Sequence, residues 1–497
     1  IRWQQGPTTP AQAVENRPPN IVLIVVDDLG YADLTLHGRG IAEGRVPTPN
    51  IDRIARDGVS FDTAYSGNAT CAPSRAAIMT GRYATRFGFE FTPTPKAFMK
   101  LVMQSEAPGR ESRAPIYHAD REANQPRYED MGLPTTEITI ARLLKSRGYY
   151  SAHIGKWHLG DSPQFRSYAH GFDESLSHLH AASMYLPTDD PRVVNAIPKV
   201  NPVDRFLWAA EPWGVRFNDG EVFKPDRYMT DYLTDHALRV IESNRNRPFF
   251  LYLAYNAPHT PLQATREDYD ALPFITDQTL RVYAAMIRSL DRNIGRVLQA
   301  LRDQGVEQNT LVIFTSDNGP HNESKHDLTR FNPSGPFTGT KRSLTDGGIR
   351  VPAIAWWPGT VKPGAISGHV AYFGDWFATA TELAGVAAPT GLDSISFAPT
   401  LRGAARQAAH EFLYWEFHER GFTQAALYQS RWKGIRERSR SAPVALYDLQ
   451  NDIAEKENVA ARHPEIAARI DAYLKTARLE SADWAPRDEG QGKNSKK

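Results

Sequence analysis

After Asn20 the chain runs Ile-Val-Leu-Ile-Val-Val, with no polar residue interrupting, and then reaches Asp27-Asp28. An unbroken, mostly β-branched run reads as a strand buried on both faces, which is how strands of a parallel sheet sit. Runs of the same kind recur at Tyr149–Ile154, Phe249–Tyr255, Thr310–Thr315 and Val351–Trp357. Between them the apolar positions return every three to four residues, over Thr136–Ser146, Thr230–Ser243 and Gln278–Gln304, which predicts helices. Strands alternating with helices predict an α/β fold: a large, mostly parallel, doubly wound sheet.

Two stretches break this rhythm. Phe91–Leu133 and Ser162–Lys224 are rich in Pro, Arg and aromatic residues and have little periodicity. Long irregular insertions serve either as substrate-binding loops or as surface decoration. Beyond Pro399 the pattern changes again. Phe412–Phe417, Gln424–Gln429, Trp432–Arg436 and Ala445–Tyr447 read as short strands close together, and Pro464–Arg478 as a helix. That predicts a smaller antiparallel sheet carrying one helix. The expected organisation is a polar extension over 1–19, a large domain over 20–399, a smaller one over 400–485, and a disordered tail over 486–497.

Composition narrows the function classes. The 497 residues include 58 basic and 57 acidic ones, a net charge of +1, so nothing global marks a nucleic-acid or membrane-surface binder. No apolar run approaches the length of a membrane span. The polar stretch from Ile1 to Asn20 reads as the start of an exported chain whose signal has been removed, or as a trimmed boundary. The chain has one cysteine, Cys71, which rules out an internal disulfide. A lone cysteine is ordinarily a small buried apolar residue, so a functional reading needs local support.

That support comes from the strand ends, where open α/β sheets bind ligands. The first strand ends in Asp27-Asp28, the second in Gly155-Lys156-Trp157-His158, the third in Asn256-Ala-Pro-His259 and the fourth in Ser316-Asp317-Asn318-Gly319. Lys341 precedes the fifth. Asp27, Asp28, Asp317 and Asn318 offer only oxygen donors, which favour calcium or magnesium over zinc. Carboxylates gathered this way repel unless a cation lies between them, although either pair alone would serve equally well as a turn or helix cap. In Cys71-Ala-Pro73-Ser-Arg75-Ala-Ala-Ile-Met-Thr80-Gly81-Arg82, Pro73 suits the first position of a helix and Gly81 its end. Cys71 is then expected just before a helix N-terminus, where unpaired N–H groups attract an anion. Arg75, four residues on, reaches the same helix face and suits a tetrahedral oxyanion.

Cys71-Ala-Pro73-Ser-Arg75 with Thr80-Gly81-Arg82 resembles the formylglycine signature of the type I sulfatases, in the alkaline-phosphatase superfamily. Gly148-Tyr-Tyr-Ser151-Ala-His-Ile154-Gly155-Lys156-Trp157-His158 resembles that family's second signature. Asp27-Asp28, Asp317-Asn318-Gly319 and Gly339-Thr-Lys341 match its metal and late-lysine motifs, in family order. The resemblance implies an alkaline-phosphatase-like α/β/α sandwich and a sulfuric ester hydrolase. It implies that a maturation enzyme oxidises Cys71 to formylglycine, whose hydrated aldehyde attacks sulfur and later eliminates sulfate. It also implies calcium, with magnesium as second choice, held by Asp27, Asp28, Asp317 and Asn318. By the same resemblance Arg75 orients the diol, and Lys156 and Lys341 grip sulfate oxygens. Asp317 is a candidate acceptor of the attacking proton, His259 the candidate general acid and His158 the candidate base for elimination. A further substrate-binding position falls after Gly171-Phe172-Asp173: Ser183 is the alignment's choice, with Ser177, His178 and His180 competing.

The nearest rival is a phosphoester or phosphonate monoester hydrolase of the same superfamily. Such enzymes favour histidine among the metal ligands, where this chain has Asn318. A second rival is a non-catalytic binder of sulfated glycans with an unmodified Cys71. For the substrate, a sulfated carbohydrate is expected, with the aromatic and Arg-rich insertions, including Arg110-Glu-Ser-Arg113, lining a cleft. Phe87-Gly-Phe-Glu-Phe-Thr-Pro-Thr-Pro95 resembles sulfatases acting on algal galactans such as carrageenan.

Overall fold

The computed structural model describes residues 1–13, 16–97, 118–197, 208–209, 211–321, 328–419, 421–481, 484–486 and 488. Arg110–Arg113 lie outside them, as do 487 and 489–497 of the tail expected over 486–497.

The fold is α/β. Ten strands form one mixed sheet, in the order Ala365–Ser367, Val59–Phe61, Ala353–Trp356, Thr310–Ser316, Asn20–Val26, Phe249–Ala254, Tyr150–Gly155, Glu174–His178, Val215–Phe217, Val222–Phe223. From Thr310–Ser316 to Glu174–His178 neighbouring strands are parallel, so their C-terminal ends share one edge. The first strand shows why its sequence is apolar throughout. Val22, Ile24 and Val26 face one core, and Ile21, Leu23 and Val25 face the other, all at most 1% exposed. The helices Met229–Asn244 and Gln278–Asp303 cover the first face, and Cys71–Thr80, Ile140–Lys145 and Asp375–Leu383 the second. The sheet therefore sits between two helical layers.

Three expectations change. The run at Val351–Trp357 is not a parallel strand: Ala353–Trp356 pairs antiparallel with Thr310–Ser316. It too is buried on both faces, so burial alone accounts for its apolar run and says nothing of direction. Cys71 is the first residue of its helix, not the one before it, and Thr70 is the extended cap. Pro73 is thus third rather than first in the helix, which costs nothing because first-turn N–H groups have no intrahelical acceptor. The stretch Ser162–Lys224 also contains strands, namely Glu174–His178, Val193–Asn195, Val215–Phe217 and Val222–Phe223. Gly81 ends the Cys71 helix at φ +67°, the left-handed conformation that glycine adopts without penalty.

Phe412–Glu416, Thr423–Tyr428, Trp432–Glu437 and Ala445–Asp448 form a separate antiparallel sheet, with the helix Pro464–Leu474 packed on it. This unit is tied to the large one by a buried ion cluster. Lys433 Nζ lies 2.6 Å from Asp346 Oδ1 and 2.9 Å from Glu455 Oε1, with all three side chains fully buried or nearly so. Tyr65 Oη donates to Asp346 across 3.0 Å. Lys433→Met leaves Glu455 without its buried cation and Asp346 with only Arg350 Nη1, 3.3 Å away, among the described residues, and is expected to destabilise the protein by about 3 kcal/mol. Urea unfolding checks this, and a midpoint equal to wild type refutes it.

The polar stretch before residue 20 is anchored rather than loose. Trp3 is 3% exposed, and its indole donates to His236 Nδ1 at 3.0 Å.

Candidate active site

The shared edge gathers residues that lie far apart in the chain. Asp27-Asp28 follows Asn20–Val26, Asp317-Asn318 follows Thr310–Ser316 on the adjacent strand, and Lys156 follows Tyr150–Gly155. Gly155 makes the last turn possible: its φ is +109°, and a Cβ there would sit 1.9 Å from Ala254 O. Lys156 is thereby turned inward, its N–H donating to Ala254 O at 2.8 Å.

Cys71 Sγ lies 3.3 Å from Asp27 Oδ1 and 3.8 Å from Asp28 Oδ1. Lys156 Nζ is 2.6 Å from Asp27 Oδ2, and Lys341 Nζ 2.9 Å from Asp28 Oδ2. Arg75 Nε donates to Asp317 Oδ2 at 2.8 Å, with Nη2 2.7 Å from the same oxygen. Arg75 Nη1 also donates to Lys156 O at 3.1 Å and Tyr252 Oη at 3.2 Å. The guanidinium is fully buried and its orientation is fixed from three sides. His259 Nε2 is 3.3 Å from Lys341 Nζ and 3.5 Å from Asp28 Oδ2. Its Nδ1 is 2.5 Å from Thr260 O. A carbonyl can only accept, so Nδ1 carries a proton and Nε2 faces the site.

Asp27, Asp28, Cys71 and His259 bring one ligand atom each within 4.8 Å of one another. Asn318 adds to this cluster: its Nδ2 donates to Asp28 Oδ1 at 2.7 Å, while its buried Oδ1 has no partner among the described residues. Three buried carboxylates and an orphaned amide oxygen fit a hard divalent cation. Burial and the neighbouring Asp27 raise the Asp317 carboxyl to about 6, against the pull of Arg75. Burial, then the Asp317 charge, pushes the Cys71 thiol well up, with Lys156 and Lys341 opposing. A protonated thiol is a poor nucleophile.

His158 adopts φ +60° and is 8% exposed, and neither ring nitrogen has a partner among the described residues. Burial, with Lys156 and Arg75 nearby, keeps it neutral. Ser183 is buried, and its hydroxyl faces Met184 O and Pro212 O at 3.0 and 3.1 Å. Of its competitors, Ser177 pairs with Gly155 in the sheet. His178 is therefore carried beside Lys156, buried, and burial drops it to about 3. His180 lies further out, half exposed, 3.4 Å from Asp161.

Sequence reasoning passed over several supporting groups. Tyr252 hides inside an apolar strand. Tyr185 Oη donates to Asn256 O at 2.6 Å and His259 O at 3.0 Å, which steadies the His259 loop. His321 places its ring 6.2 Å from that of His259. Only the histidine three residues beyond Asn318 offered a signal in the chain.

Residues 19–386 match the family described as Sulfatase. The chain belongs to the sulfatase family. As a family member it is a sulfuric ester hydrolase of the alkaline-phosphatase superfamily. Residues 337–480 of this sulfatase also match the family described as N-sulphoglucosamine sulphohydrolase, C-terminal, a span that takes in the small sheet and its helix. It is 34% identical to the N-acetylgalactosamine-6-sulfatase of Canis lupus familiaris, over 84% of this chain and 71% of that one. With the Homo sapiens enzyme of the same name it shares 35% identity, over 78% of this chain and 66% of the other. A solved structure described as Ps i-CgsB superposes with a TM-score of 0.74 at 30% identity, covering 96% of each chain. The same protein in complex with k-i-k-neocarrahexaose superposes at 0.71 with 31% identity, covering 92% of this chain and 93% of that one.

Proposed function

We propose that this sulfatase removes sulfate from a sulfated carbohydrate, with residue 71 as formylglycine and with a bound calcium ion. The observation that carries the reading is the seating of Cys71 at a helix N-terminus, 3.3 Å from Asp27 and within a cage of three carboxylates and three cationic side chains.

Asp27, Asp28, Asp317 and Asn318 would hold the ion, which supplies polarisation of the sulfate and neutralisation of charge when bound. Oxidised and hydrated, residue 71 supplies a hydroxyl nucleophile. Arg75, locked by Asp317 and Tyr252, orients that residue. Lys156 and Lys341 project ammonium groups beside it and stabilise charge building on the sulfate oxygens and the departing oxygen. His259, with Nε2 facing the site, delivers a proton to the leaving alcohol from its doubly protonated form, Nδ1–H staying on Thr260 O. His158, kept neutral by burial, accepts a proton in the release of sulfate. Ser183 is the substrate-binding position that the family resemblance suggests, and its buried hydroxyl faces Met184 O and Pro212 O, so it would act by holding the loop.

The carbohydrate assignment draws on the names of the relatives, an N-acetylgalactosamine-6-sulfatase and a protein bound to a neocarrahexaose. Together with the segment Phe87–Pro95 they favour a galactan of the carrageenan type. We further propose an exported protein that meets a formylglycine-generating enzyme on the way. Among the described residues no helix is long and apolar enough to cross a membrane.

Mass measurement of the peptide containing Cys71, from natively matured protein, tests the nucleophile. An aldehyde in place of the thiol is expected, and an intact thiol in an active sample refutes the reading. Chelation should abolish aryl sulfate hydrolysis, and added calcium should restore it. A faster rate on the matching aryl phosphate would overturn the choice of ester.

A further inference from the structure

A second group of polar and aromatic side chains lies at the same sheet edge and has no part in the chemistry above. Glu174–His178 runs parallel to Tyr150–Gly155, so His178 ends beside Lys156 and the following loop opens at the active-site edge. Val215–Phe217 runs antiparallel to Glu174–His178, with Val215 opposite His178. The residues just before Val215 therefore arrive at that edge too, and Ser183 Oγ ties the two loops by donating to Pro212 O at 3.1 Å.

On one side stand Tyr128, Asp161 and His180. Tyr128 Oη donates to Asp161 Oδ2, and His180 Nδ1 is 3.4 Å from the same oxygen. The Tyr128 and His180 rings are stacked, 20° apart. The Asp161 and His180 side chains are 39% and 48% exposed, and Asp161 stands only five residues downstream of Lys156, so this side of the group reaches solvent close to the active-site edge. On the other side, Trp208 Nε1, Glu211 Oε2 and Trp213 Nε1 are buried and have no hydrogen-bond partner among the described residues. Three orphaned polar atoms on one short segment are unusual in a folded protein, where such groups are nearly always satisfied. Burial raises the Glu211 carboxyl to about 8, and it feels both Lys156 and Asp161, which links the two sides electrostatically. A largely protonated carboxyl both donates and accepts, as a sugar hydroxyl requires. Arg216, opposite Ser177 in the sheet, feels Arg166 first and then Asp161 and Asp219, so cations and carboxylates are mixed along this edge.

We propose that Tyr128, Asp161, His180, Trp208, Glu211 and Trp213 form a subsite for a neutral pyranose ring of the substrate, next to the ester that is cut. The indole and phenol faces cover the ring's C–H surface, and the indole N–H groups and carboxyls take its hydroxyls. This rests on the carbohydrate reading above and names the part of the protein that recognises the sugar.

The test compares kcat/KM on a singly sulfated neutral galactan oligosaccharide with kcat/KM on 4-nitrophenyl sulfate. Trp213→Ala and Asp161→Asn should each lower the oligosaccharide-to-aryl ratio by about 30-fold, mostly through KM. Trp213→Phe, which keeps a ring face, should recover most of the Trp213→Ala loss. If Trp213→Ala fails to fold, Asp161→Asn and Glu211→Gln carry the test. Wild type that desulfates the oligosaccharide, with all ratios unchanged in the variants, overturns the subsite and leaves the carbohydrate reading standing. Wild type that cleaves the aryl ester but desulfates no oligosaccharide overturns both. A preference for a uronate over a neutral ring beside the ester overturns the subsite's proposed chemistry.

Discussion

Cys71→Ala is expected to lower kcat on an aryl sulfate by at least about 10⁵-fold, with the fold intact. The side chain is 2% exposed at the first position of its helix, so alanine removes one sulfur from a packed site and keeps a good helix former. That change costs about 1 kcal/mol, and the melting temperature should move by only a few degrees. The activity loss follows from position: Cys71 Sγ lies 3.3 Å from Asp27 Oδ1 and 3.8 Å from Asp28 Oδ1, at the centre of the carboxylate cluster. Cys71→Ser makes a sharper test, because its Oγ can attack sulfur once. The S–O bond to Oγ forms as the ester's S–O bond breaks, the alcohol departs with a proton, and sulfate stays on the serine. Lacking a second hydroxyl, the adduct has no easy route to release. A stopped-flow trace should show one equivalent of alcohol per enzyme and then a plateau. Repeated turnover by either variant would remove residue 71 from the mechanism.

Asp317→Asn is expected to cut kcat by about 10³-fold and to raise the calcium concentration needed for half-maximal activity. The carboxylate has two duties. Its Oδ2 receives the Arg75 guanidinium at 2.7 and 2.8 Å, and its Oδ1 accepts from Asp28 N at 3.3 Å. An amide keeps the shape and loses the charge, which leaves Arg75 fully buried with only Asp27 Oδ1, 3.8 Å away, as an ionic neighbour among the described residues. Breaking a buried pair costs about 3–5 kcal/mol, so a lowered urea midpoint should accompany the kinetic loss. Activity loss that calcium cannot partly offset, with an unchanged midpoint, would show that Asp317 neither supports the ion site nor balances Arg75.

The central strands and long helices were readable because each obeys one local rule. Asn20–Val26 is apolar at every position since both faces are covered, and Gln278–Asp303 shows a helical period over 26 residues. The edge of the sheet was not readable. Val215–Phe217 and Val222–Phe223 are two or three residues long, half buried, and flanked by Pro, Gly and Asp. Such strands exist because a neighbouring strand offers hydrogen bonds, and no local pattern records that offer. The direction of Ala353–Trp356 was hidden for a related reason, since burial on both faces leaves the same trace in either orientation.

The chain by itself determined the chemistry available: oxygen donors after strands, one cysteine and an arginine on one helix, and a lysine after a glycine turn. These are local, because backbone geometry and residue type set them within a few positions. Only the tertiary structure decided which groups meet. Asp27 and Asp317 are neighbours because their strands pair, and Arg75 selects Asp317 because the Cys71 helix packs where it does. Contacts between residues hundreds of positions apart depend on strand order and packing, which arise from the whole core rather than from any one segment.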